Sequence, residues 1–258
     1  MEKELFNACQ DGKVEEVRRL LQNPQINTNW ENEDDYNSTP LHIACENRHS
    51  EIVKLLINNE RVDVNKVNKN EATPFYIACF CGHIESVKLL LNDERVDINK
   101  ARISGETPFY IACWKGHLEV VKLLLNDERV DINKADKSGT TPLHLVCKIG
   151  NIKIMEYILA HEKVDLKATN NQGKMAIETS RIIKEEEKFW ENEEGRQKRK
   201  RKWTEIVELL ELFERNPNET RAKLRMKFGF AGKNFSYLQE VFFFIYFLPV
   251  CNIIFYRL

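Results

Sequence analysis

No apolar run of signal-peptide length opens this 258-residue chain. "MEKELFNACQDGKVEEVRRLL" mixes acidic and basic residues throughout, so secretion is not expected. The chain also lacks a net charge to speak of. At a formal −1, its average field gives no reason to expect a nucleic acid or an anionic membrane as partner. A glycine-rich phosphate-binding loop, an HExxH pair and a nucleophile elbow are all missing, which removes the reaction classes those motifs serve. Cysteine is present in an odd number, seven, and Cys45, Cys79, Cys113 and Cys147 recur 34 residues apart. In stacked helical units such positions lie about 8–10 Å apart, beyond disulfide reach. They read as small buried hydrophobes in a reducing compartment.

What the sequence does have is a period. "TPFYIACFCGHIESVKLLLNDERVDINK" begins at Thr73 and returns nearly unchanged at Thr107, and Thr39-Pro40 and Thr141-Pro142 keep the same 34-residue step. In each copy Thr is placed to cap a helix whose first residue is Pro, where the missing N–H costs nothing. Gly82, Gly116 and Gly150 fall where a left-handed residue ends that helix, while Arg48 takes this place in the first full unit. A second helix follows, with an apolar stripe such as Leu118, Val121, Leu124 and Leu125, then an extended "RVDINK" arm. Neither helix is long enough to be stable alone in water, so the copies must pack on one another.

"STPLHIACENRHSEIVKLL", "GHLEVVKLLL" and "SGTTPLHLVCKIGN" together resemble the ankyrin repeat, over roughly residues 5–213. The resemblance implies an all-α helical solenoid of about six helix-turn-helix repeats with β-hairpin-like connecting arms. Residues 1–36 would form an N-terminal capping repeat and residues 37–172 four full repeats. Residues 173–214 would form a degenerate repeat with a charged insertion at 184–202, whose second helix is postponed to "WTEIVELLELF" and whose insertion loops over the surface. Residues 215–258 would carry a basic helix and an apolar tail. Two departures stand out. "NNERV" and "NDERV" replace the family's Gly-Ala turn with one extra residue. Tyr76 and Tyr110 replace the motif histidine that His42 and His144 keep, at a cost of about 1 kcal/mol unless the phenol finds another bond.

A metal or nucleophile reading of Cys79, Cys81, His83, Cys113 and His117 is set aside, since His83 and His117 recur at the unit period as a structural motif does, whereas a catalytic site is normally unique within a chain. The chain is therefore read as a non-enzyme without cofactor, metal or small-molecule substrate. The resemblance implies a protein partner held in a concave groove, by Tyr36, Glu46, Lys69, Phe80, Ile103, Glu106, Trp114, Lys115, Lys137, Lys148 and Ile149. Phe80 and Trp114, on adjacent units, are the candidate anchors. "RQKRKRK" at 196–202 is open to three readings: a nuclear signal, a phosphate-contacting patch or a solvated helix. The apolar stretch at 241–256 is a tail anchor, a capping helix or translated AT-rich non-coding sequence. A cytoplasmic protein is expected, with nuclear or membrane-tethered placement as the alternatives.

Overall fold

Thr73, Thr107 and Thr141 lie in extended backbone, and each accepts a hydrogen bond from the N–H three residues on, at 3.1–3.3 Å. Thr39 forms the reciprocal box, with His42 Nδ1 accepting the Thr39 N–H at 3.1 Å. With Pro at the first helical position and Gly82, Gly116 and Gly150 left-handed at φ 71–77°, both ends of these inner helices are set locally.

The computed structural model describes residues 1–185 and 193–229. Its helices run in pairs: α1 (Glu2–Asp11) with α2 (Val14–Leu21), α3 (Pro40–Glu46) with α4 (Ser50–Ile57), and α5 (Pro74–Cys81) with α6 (Ile84–Leu91). Then come α7 (Pro108–Lys115) with α8 (Leu118–Leu125), α9 (Pro142–Ile149) with α10 (Ile152–Ala160), and α11 (Ala176–Glu185) with α12 (Glu193–Arg215). A last helix, α13 (Pro217–Lys227), closes the described chain. The first helices of each pair stack on one another from α1 to α11, and the second helices from α2 to α10 form a parallel outer row. One continuous apolar core runs through the stack, from Leu5 to Leu224. Inner helices such as α5, "PFYIACFC", are apolar almost all round because neighbours cover both sides. Outer helices bury one stripe, as α8 does with Val120, Val121, Leu124 and Leu125.

Polar ladders tie the units together. Asn29, Asn65, Asn99 and Asn133 each donate to a carbonyl in the next arm at 2.6–2.7 Å and accept an N–H two residues beyond it at 2.7–2.9 Å. The extra residue of the "NNERV" and "NDERV" turns brings in Arg61, Arg95 and Arg129, which reach the carbonyls of Leu21, Ile57 and Leu91 in the preceding unit at 2.5–2.9 Å. A cation there also answers the negative end of that unit's outer helix. At the hairpin tips a backbone ladder links Lys69 N–H to Tyr36 O, Ile103 to Asn70, Lys137 to Ser104 and Asn171 to Ser138, at 2.8–3.1 Å. The arms themselves have no strands among the described residues, only isolated bridges at Asn32–Ser38 and Thr169–Met175.

Imidazoles form another column. His49 and His117 donate through Nε2 to the carbonyls of Gln10 and Phe80, at 3.1 and 2.9 Å, passing over Gly12 and Gly82. Arg48 stands where those glycines would be, at φ 64°. There His83 instead donates through Nδ1 to Cys45 O, one residue earlier, at 2.7 Å.

The end of the array departs from the expected surface loop over 184–202. Residues 193–202 are helical and continue α12, because Glu, Arg, Lys and Gln propagate a helix readily once "WTEIVELLELF" has nucleated it. Trp203, Ile206, Val207, Leu210 and Phe213 form its buried stripe, which packs on α11, α13 and α10. Lys202 sits over Gly150 and donates to Ile149 O at 3.2 Å, so an ammonium takes the place an imidazole holds in earlier units. Helix α13 lies against α10, where Phe228 stacks on Tyr157 at 4.0 Å, Lys227 pairs with Glu156 at 2.6 Å and Arg225 pairs with Glu162. No helix among the described residues is long and apolar enough to cross a membrane. The apolar stretch at 241–256 lies outside the described residues.

Candidate functional site

The same two ends of each inner helix present the candidate residues. At the hairpin tips Tyr36 is 64 % exposed and Ile103 48 % exposed, with Lys69 and Lys137 exposed beside them. All four are held at fixed spacing by the backbone ladder. At the carboxyl ends of the inner helices lie exposed Glu46, Phe80, Trp114, Lys115 and Lys148, with Ile149 partly buried. Phe80 and Trp114, 39 % and 49 % exposed, stand in equivalent places on α5 and α7. Lys115 Nζ lies 4.1 Å from the centroid of the Phe80 ring and links these two units. Such a contact contributes about 0.5–1 kcal/mol where it is exposed.

Glu106 departs from the expectation of an exposed groove residue. It is only 7 % exposed, and its carboxylate accepts from Arg102 at 2.9 and 3.2 Å and from Ser104 Oγ. Burial pushes this carboxyl up, but Arg102 and Ser104 outweigh burial and hold it below the usual range. The residue just before Thr-Pro points into its own hairpin, and Ser38 and Ala72 at the same place are buried too.

The described residues contain no group of three or more His, Cys, Asp or Glu placed to hold a metal. Cys9, Cys45, Cys79, Cys113 and Cys147 are buried free thiols, and burial pushes Cys9 and Cys147 up to about 12. Cys81 is less enclosed. Burial, with help from Glu46, raises it to about 11 against the opposing charge of Lys115, which makes it a poor nucleophile at neutral pH. His83 and His117 are occupied by the carbonyls described above.

Two depressions adjoin the candidate residues. One of about 900 Å³ is floored by Trp114, Lys115 and Ile149 and walled by α12 through Arg201, Lys202 and Glu205. Another of about 490 Å³ is lined by Lys148, Lys174, Asn171 and Ile183 beneath the last hairpin. The contribution of α12 does not follow from the repeat pattern, because this helix lies beyond the last intact period. Its signal in the sequence is the unbroken run of helix formers leading back from Trp203.

Two family models for ankyrin repeats match the chain. The three-copy model covers residues 4–68 and 60–136, and the many-copy model covers residues 115–159. No curated protein matches it.

Proposed function

Because the chain belongs to the ankyrin-repeat family, we propose that it works as a non-catalytic adaptor, holding a protein partner in the concave groove formed by its hairpin tips and inner helices. Repeats of this family generally mediate protein–protein interaction. The observation that carries the reading is the pair Phe80 and Trp114. Both rings are well exposed on helices whose backbone is otherwise fixed by caps, glycines and ladders. Large apolar side chains held open on a rigid frame lose little entropy on binding and can serve as anchors. The cytoplasm is the proposed compartment, with the buried thiols as support.

The test is affinity capture with the full chain, followed by measurement of Kd for whatever protein is captured. Trp114→Ala should weaken that complex more than about thirtyfold, since a central aromatic anchor contributes more than ~2 kcal/mol. Its unfolding midpoint should hardly move. Lost stability with intact affinity would place Trp114 in the core and the binding surface elsewhere.

A further inference from the structure

The cleft between α7, α10 and α12 carries a charge that the repeat pattern does not supply. At the second residue of the outer helix, Glu51, Glu85 and Glu119 hold three successive full units, but the fourth has Lys153. Three residues on, Lys54, Lys88 and Lys122 give way to Glu156. In α6 and α8 the motif neutralises itself, Lys88 pairing with Glu85 and Lys122 with Glu119, each at 2.7 Å. In α10 the reversed pair is divided. Glu156 goes to Lys227 of α13, and Lys153 is left lining the cleft. Lys115, Arg201 and Lys202 join it there, against one carboxylate among the described residues, that of Glu205. Among the described residues no carboxylate forms an ion pair with Lys115, Lys153 or Arg201.

We propose that this cleft receives an acidic peptide segment bearing one apolar side chain, with its carboxylates toward Arg201, Lys153 and Lys115 and its apolar group on Trp114 and Ile149. The proposal rests on the adaptor reading and names the chemistry of its partner. Four cations gathered in a chain of net charge −1 make a local positive field that attracts an anionic segment and orients it. The apolar floor then gives that segment a place to lodge. A single-stranded nucleic acid would meet the same charges, but it binds by stacking successive bases on several rings. Among the described residues Trp114 is the one aromatic in the lining, and the neighbouring Phe80 ring lies outside it with the Lys115 ammonium over one face.

The probe is a fluorescein-labelled peptide of glutamates around one central leucine, titrated with the full chain and followed by fluorescence anisotropy. A lysine peptide of equal length and a deoxythymidine oligonucleotide of equal charge serve as comparisons. Only the acidic peptide should bind, and its affinity should fall several-fold between physiological and ~0.5 M salt. Lys153→Glu combined with Arg201→Glu should weaken it at least ~tenfold. Lys3→Glu, at an exposed position on α1 at the far end of the row, should leave it within about twofold, and all variants should keep the wild-type unfolding midpoint. Tighter binding of the oligonucleotide would overturn the peptide assignment. No binding of the acidic peptide, with a captured protein that still tolerates the double reversal, would overturn the cleft and leave the adaptor reading standing. Loss of capture in Trp114→Ala together with tolerance of the double reversal would likewise overturn the cleft alone.

Discussion

Position 42 and its repeats at 76, 110 and 144 show what one side chain decides. His42 accepts the N–H of Thr39 and donates to Ala72 O at 3.0 Å, and His144 likewise donates to Lys174 O at 2.9 Å. Tyr110 replaces that bond with one to Asp136 Oδ2 at 3.0 Å, whereas the Tyr76 hydroxyl is buried without a partner. Tyr110→Phe should therefore cost about 1.5 kcal/mol, the scale of a hydrogen bond to a charged group, while Tyr76→Phe should be neutral or stabilising. Urea unfolding of the two variants side by side checks this; equal losses would mean that both hydroxyls are satisfied. His42 adds a pH dependence. Burial, opposed by the Ala72 carbonyl and Glu31, lowers its pKa from 6.5 to about 4, so the unfolded chain binds the proton first as pH falls. Its contribution is full above about pH 6.5 and is lost progressively toward pH 4, amounting to roughly 2 kcal/mol by pH 5. The drop in unfolding midpoint between pH 7 and pH 5 should shrink in His42→Tyr, and an unchanged drop would move the acid sensitivity to another group.

The inner helix is the element whose ends the sequence makes legible. Thr-Pro at the start and Gly at the finish are local chemistry, and they recur often enough to read without structure. Arg48 is the exception, since it carries a Cβ into a left-handed φ of 64°. Arg48→Gly should raise stability by about 1 kcal/mol, the usual cost of a side chain in that region. A lower urea midpoint in this variant would show that the Arg48 side chain contributes more than its backbone costs. The shift of the His83 bond to Cys45 O was not legible, because it depends on what faces the ring from the neighbouring unit. The same holds for Glu106, which the family resemblance places in the groove but which points into its own hairpin, as Ser38 and Ala72 do, and is held there by Arg102 and Ser104. Phe80 and Trp114 were legible as exposed because the period gives them the same place on the framework. Helix α12 was legible only in its apolar half. Its basic half became a wall of the cleft through the length of the helix, which no local pattern states.

At the scale of the whole molecule the units touch only their neighbours, and energy is nearly additive along the row. Leu124, fully buried in α8, should cost about 2–5 kcal/mol on truncation to Ala. Hydrogen exchange should then quicken first in α8 and in α6 and α10 beside it, and last in α1. Quickening spread evenly over the chain would mean that the row behaves as one indivisible unit. The asparagine ladder has a further consequence, for inheritance rather than stability. Each rung joins a side chain to backbone groups exposed by every unit alike, so it does not depend on which unit comes next. Remove residues 74–107 and Thr73 meets Pro108, with Asn65 facing the Arg129 carbonyl that Asn99 now holds. A gene carrying the two nearly identical segments at 73–100 and 107–134 can thus lose or gain a copy by unequal crossing-over. The ladders would close over the seam, and the reach of the binding face would change by one step while its chemistry at either end stayed the same.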